Sequence, residues 1–167
     1  MAKSKYEELL SLAKQKATEF TKIQRECIDF STSFVLQLEQ YLEGPRGCVL
    51  CDTLGRDHRP TGKPTILPDP RYFDEDQYWH FYLIFKFEFG HDLSTLVTAG
   101  RAYWVGTEIG IKQVESGFMI LVGNETYEKT EKAFERLHRD LTERLTKNIV
   151  QSKNVFGFSQ WRAESYS

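Results

Sequence analysis

A chain of 167 residues, 40% apolar and 28% charged, is long enough to bury a core and has the composition of one globular domain, not of a disordered segment. Its formal charge of −2 argues against a surface built wholly to grip nucleic acid, which needs a surplus of Lys and Arg. No apolar run approaches the roughly 20 residues of a membrane span, the charged first ten residues lack the apolar stretch of a signal peptide, and Cys27, Cys48 and Cys51 are an odd set that makes a poor disulfide framework. The expectation is a cytoplasmic protein with neither a membrane nor a nucleic-acid partner.

Residues 5–42 contain neither Gly nor Pro. Tyr6, Leu9, Leu10, Ala13, Ala17, Phe20, Ile23, Cys27, Phe30, Phe34, Leu38 and Tyr41 recur in steps of three and four, which makes one stripe along a helix. From Cys27 onward Ile28, Val35, Leu36 and Leu42 widen the stripe, so the second half should be the more deeply buried. Gly44-Pro45 stops the helix. Unbroken, it would be about 57 Å long, whereas a domain of this size is roughly 40 Å across. Either the helix breaks near Ser31-Thr32-Ser33, where short polar side chains compete for the backbone, or its overhanging turns pack on a second copy. Leu9, Leu10, Phe20 and Ile23 need a partner surface, which favours a homodimer through this helix.

Residues 44–76 hold all five prolines and read as a long loop with one short strand at Cys48–Cys51. From Gln77 the texture changes. Phe81, Leu83, Phe85, Phe87 and Phe89 alternate with His80, Tyr82, Ile84, Lys86 and Glu88, the period-two pattern of a strand with one buried face. Gly90-His91-Asp92 reads as a turn, 94–105 as a second strand, 106–110 as another turn, and 111–122 as one strand or a hairpin split at Ser116-Gly117. Such an antiparallel meander of three to four strands over 77–123 normally buries one face. Asn124 is the expected N-cap of a second helix over 124–150, with Tyr127, Phe134, Leu137, Leu141, Leu145 and Ile149 as its apolar face and Arg139, Arg144 and Lys147 in its last turns. Residues 151–167 form a tail, with 155–161 an edge strand or docked segment. The whole reads as a single α+β domain with the C-terminal helix packed on one sheet face.

Candidate sites are few. Cys48-x-x-Cys51 could bind zinc with His58, but a structural zinc site wants four ligands, and none of Cys27, His58, His80 and His91 has ligand spacing. Plain thiols and no cofactor are therefore expected. Arg56, His58, Arg59 and Lys63, with Gly55 and Gly62, form a basic loop that could hold an anion. Glu108 and Lys112 have the wrong spacing for a metal-dependent nuclease, and no nucleophilic Ser motif or HExxH is present, so the reading leans against an enzyme. If helices cover one sheet face, Tyr78, Trp79, Tyr82, Tyr103 and Trp104 include rings left on the other, where they would recognise a protein partner. The expected function is a non-catalytic interaction module of the adaptor, chaperone or immunity-protein kind. The alternative is a small enzyme or ligand-binding domain for an anionic molecule, using the basic loop over 46–64.

Overall fold

The computed structural model describes residues 2–55, 57–88, 102–147, 154–155 and 158–160. Helix α1 spans Lys5–Tyr41 without interruption. It opens on a capping box: Ser4 Oγ accepts from Glu7 N at 3.1 Å, and the Glu7 carboxylate accepts from Ser4 N at 2.8 Å. It closes where Glu43 turns left-handed (φ 52°) just ahead of Pro45. The helix does not break at 31–33. Ser31 and Thr32 hydroxyls donate back to the Cys27 and Ile28 carbonyls at 2.7 and 3.0 Å, so they are satisfied inside the helix. At about 55 Å it overhangs its own domain. Every described residue through Ile23 is exposed, and burial starts at Cys27 and continues through Ser31, Phe34, Val35 and Leu38.

Among the described residues one antiparallel sheet contains β1 (Val49–Thr53), β2 (Tyr72–Phe73), β3 (Trp79–Glu88), β4 (Ala102–Val114), β5 (Gly117–Val122), β6 (Glu125–Tyr127), β7 (Asn154–Val155) and β8 (Phe158–Gln160). The long strands β3 and β4 pair at its centre, with Tyr82 opposite Glu108. The outer edge of β3 is shared end to end by β1 and β2. That of β4 is shared by β5 and β8.

Three of the expected element assignments need correction. Gly106 and Gly110 make no turn: they lie inside β4, opposite Ile84 and His80, because ladder bonds to β3 along the whole strand outweigh the local flexibility of glycine. Asn124 does not cap a helix. Residues 125–127 pair with Ile120–Val122 first, and the second helix, α2, spans Thr130–Thr146 from Lys129, which makes no side-chain cap bond. Residues 44–76 are less of a loop than their prolines imply, since they supply β1, β2 and the bridges Cys51–Thr65 and Leu54–Pro60. The hairpin at Ser116-Gly117 is present, with Val114 paired to Gly117. Of the expected strand over 94–105, residues 102–105 belong to β4, and residues 94–101, the turn at 90–92, Phe89, Ile149 and the rings Phe156 and Trp161 lie outside the described residues.

Both helices cover one face of the sheet. Phe81, Leu83 and Phe85 of β3 and Val105, Ile109 and Ile111 of β4 are wholly buried against Cys27, Phe34, Val35 and Leu38 of α1 and Ala133, Phe134, Leu137 and Leu141 of α2. Phe34 meets Phe134 with ring centroids 5.1 Å apart, and Phe30 stacks on Phe118 at 4.2 Å. Each such side chain contributes roughly 1.5–3 kcal/mol by leaving water. The opposite face is buried as well, contrary to the one-faced expectation. The segment after β1 folds back, so that Leu54 and Tyr72 pack with Tyr82, Ile84 and Trp104 in a second apolar cluster.

Helix α2 carries charge on its buried side. Arg136, Asp140 and Arg144 follow one another at intervals of four and are all buried. Arg136 Nε donates to Asp140 Oδ2 at 2.7 Å, and its Nη1 reaches Tyr127 OH at 3.1 Å and Glu125 Oε2 at 3.0 Å. Arg144 is 1% exposed, and among the described residues none of its three guanidinium nitrogens has a hydrogen-bond partner.

Candidate functional site

The one concentration of acid–base side chains described on the second sheet face is assembled by strand register. On this face His80 projects from β3 and Glu108 from β4, as diagonal neighbours. Directly opposite His80 stands Gly110, over which the imidazole lies: a Cβ there would come within 3.3 Å of His80 Cε1 and 3.2 Å of Tyr78 Cδ1. Asp74 ends the long connection in a turn. Its Oδ1 accepts from Tyr78 N at 2.9 Å, and its Oδ2 meets His80 Nε2 at 2.5 Å. His58 arrives from the far side of the same connection in a left-handed conformation (φ 57°), with Nδ1 2.8 Å from Glu108 Oε1 and its ring edge-on to Tyr72. His80 Nδ1 lies 3.2 Å from the same Glu108 oxygen, at ion-pair range but off the line of a hydrogen bond.

The result is an alternating row, Asp74–His80–Glu108–His58, buried at His80 and half-exposed at His58. Burial opposes the charge on His80, but Glu108 and Asp74 outweigh it and hold the imidazolium above its ordinary value of 6.5. Burial likewise opposes the two carboxylates. Hydrogen bonds from His80 and Tyr78 N pull Asp74 below its ordinary range, and the adjacent His80 imidazole with the hydrogen bond to His58 does the same for Glu108. Both ring nitrogens of His80 face carboxylates, so neither lone pair is turned outward. The row therefore works first as a clasp, tying both ends of the 54–76 connection to the two central strands. Buried Asp52 adds a second tie, accepting from Gly62 N at 2.8 Å and from the Thr61 hydroxyl. A cavity of about 220 Å³ lies beside the clasp, bounded by His80, Glu108, Gly110, Leu121 and Gly123.

Of the expected anion ligands, His58 is part of the clasp, Arg59 and Lys63 are exposed, and Arg56 lies outside the described residues. Of the expected partner-binding rings, Tyr78, Trp79, Tyr82 and Trp104 are buried within the chain, because the connection and α1 already cover them, and the Tyr103 side chain lies outside the described residues. Trp79 faces the helices, where Phe20 and Phe73 contact it at 5.4 and 4.7 Å. Cys48 precedes β1 and packs against the same core that contains Cys51, so the two do not face opposite sides of a strand. Burial raises the thiol pKa of all three cysteines, that of Cys27 to about 11. Among the described residues no three His, Cys, Asp or Glu side chains are grouped to hold a metal ion.

Comparison with protein-family models, curated proteins and solved structures finds no match. The clasp was not legible in the sequence because its members lie 16 to 50 positions apart, Asp74 and His80 excepted. One signal was present: Gly106-Thr-Glu108-Ile-Gly110 places a carboxylate between two side-chain-free positions on one strand face.

The second candidate is the overhanging half of α1. Tyr6, Leu9, Leu12 and Phe20 are 70, 64, 59 and 45% exposed, on a segment that buries nothing before Cys27. Among the described residues no helix is long and apolar enough to cross a membrane.

Proposed function

We propose that this chain is a non-catalytic protein-interaction module that acts as a homodimer, with the overhanging half of α1 as its contact element. One observation carries the reading: a single apolar stripe changes from exposed to buried partway along an unbroken helix. Its members recur every seven residues, from Tyr6 through Ala13, Phe20, Cys27 and Phe34 to Tyr41. Cys27 and Phe34 are core, Phe20 is half-exposed with its ring against Trp79 and Phe73, and Tyr6 faces solvent. A helix segment of this length is marginal in water on its own, and each large apolar side chain it buries contributes roughly 1.5–3 kcal/mol. The stripe also suits a copy of itself. In an antiparallel pair about a two-fold axis, Tyr6 would meet Ile23 and Leu9 would meet Phe20, each contact made twice.

Sedimentation equilibrium across the micromolar range tests this. The full chain is expected to be a dimer, and Leu9→Glu a folded monomer. A monomer throughout that range, or a dimer indifferent to Leu9→Glu, overturns the reading, and a monomer that binds anionic vesicles through the same stripe replaces it.

A further inference from the structure

A cavity of about 980 Å³ opens at the opposite end of α1, where the helix C-terminus, the turn after it and the end of α2 meet the edge of the sheet. Its walls are apolar: Leu42, Phe85, Phe87 and Leu141 on the helix side, Leu50 and Ile66 around the strand edge. Its rim carries exposed apolar groups, with Tyr41 at 42%, Leu145 at 47% and Ile66 at 64%. That volume lies at the top of the range of small-ligand sites, roughly 300–1,000 Å³. Its charge is one-sided. Arg46, Lys86 and His138 line it, and among the described residues no Asp or Glu does. The Lys86 ammonium sits over the Trp104 ring at 5.2 Å, directed to the other sheet face. Arg46 is exposed and makes no ion pair among the described residues. The turn that carries it is built rigidly. Glu39 accepts from Gly47 N at 3.0 Å and from Val49 N at 3.1 Å, and Gly47 takes a left-handed conformation (φ 85°) that a side chain would disfavour.

We propose that this cavity takes the hydrocarbon tail of a single-chain carboxylate, the fatty-acid class, with the Arg46 guanidinium on the headgroup. An apolar cleft large enough for an alkyl chain, walled by a preformed turn and offering one available planar cation, matches an amphiphilic anion in both halves. A neutral chain satisfies only the walls, and a cationic one meets the wrong sign at the mouth.

Calorimetric titration of the full chain with octanoate, decanoate and dodecanoate, each below its micelle concentration, tests the proposal. Each two added carbons should tighten binding by about tenfold until the cavity is full. Arg46→Gln should weaken dodecanoate by about tenfold to a hundredfold and leave dodecanol unchanged. Ile66→Glu and Leu145→Glu alter exposed rim positions, so both should fold as the parent does by circular dichroism and lose both ligands. Absence of binding by all three carboxylates overturns the proposal, as does equal affinity for dodecyltrimethylammonium or indifference to Arg46→Gln. Leu9→Glu should bind dodecanoate like the parent, so failure of the ligand site and failure of the helix pairing are read separately.

Discussion

His80 is the side chain on which most of the charged order of the second face depends. Its folded pKa is raised, so the stability it contributes is complete below 6.5 and is lost as pH rises through the higher folded value. Asp74 and Glu108 are depressed, so theirs is complete above their ordinary 3.8 and 4.5 and is lost as pH falls through the lower folded values. The clasp is therefore tightest between about pH 4.5 and 6.5, where all three charges coexist. His80→Gln is expected to lower stability by about 2–4 kcal/mol within that window. It should also abolish the decline on the alkaline side. Urea midpoints measured from pH 4 to 9 check both, and an unchanged alkaline slope would exclude His80 as its source. Arg144 is the opposite case, a guanidinium in the core without a hydrogen bond among the described residues. Removing a buried charge that lacks a partner relieves desolvation, so Arg144→Met should raise stability by about 1–3 kcal/mol. A loss of similar size in the same titrations would mean that the charge is compensated after all. Its burial was not legible in the sequence: at about 100° per residue Arg144 falls just outside the arc set by Phe134, Leu137, Leu141 and Leu145.

At the scale of the element, α1 is two helices in one. Residues 2–16 bury nothing, while Phe34 is 1% exposed beneath α2. Deleting 2–16 should leave a folded chain with native near-ultraviolet dichroism and a melting temperature that no longer depends on concentration. Phe34→Ala should cost about 3–5 kcal/mol. Loss of the near-ultraviolet signature in the truncated chain would show that the overhang is needed for folding. Helix α1 and the β3 alternation were legible because each signal is periodic and local. The start of α2 and the continuity of β4 were not. Asn124 and Gly106 carry strong local preferences, and both were overridden by ladder bonds to strands distant in sequence.

At the scale of the molecule, the layer order was legible: a row of phenylalanines under two amphipathic helices permits little else. The second buried face was not. Its cover comes from a proline-rich segment whose only advance signs of docking were Leu54 and Tyr72, and the residues that fasten it, His58, Asp74 and Asp52, look like ordinary loop chemistry until strand register brings them to their partners. The same arrangement makes the body stiff on both sides of the sheet and leaves one long rod standing clear of it. A rod clamped along half its length is a lever. About 23 Å of it lies between Phe20, whose ring rests on Trp79, and Lys5, so a tilt of about ten degrees at the clamp sweeps the tip through about 4 Å. If two such arms are joined near their tips, a slight settling of the packing around Phe34 becomes a visible change in the spacing of two whole bodies.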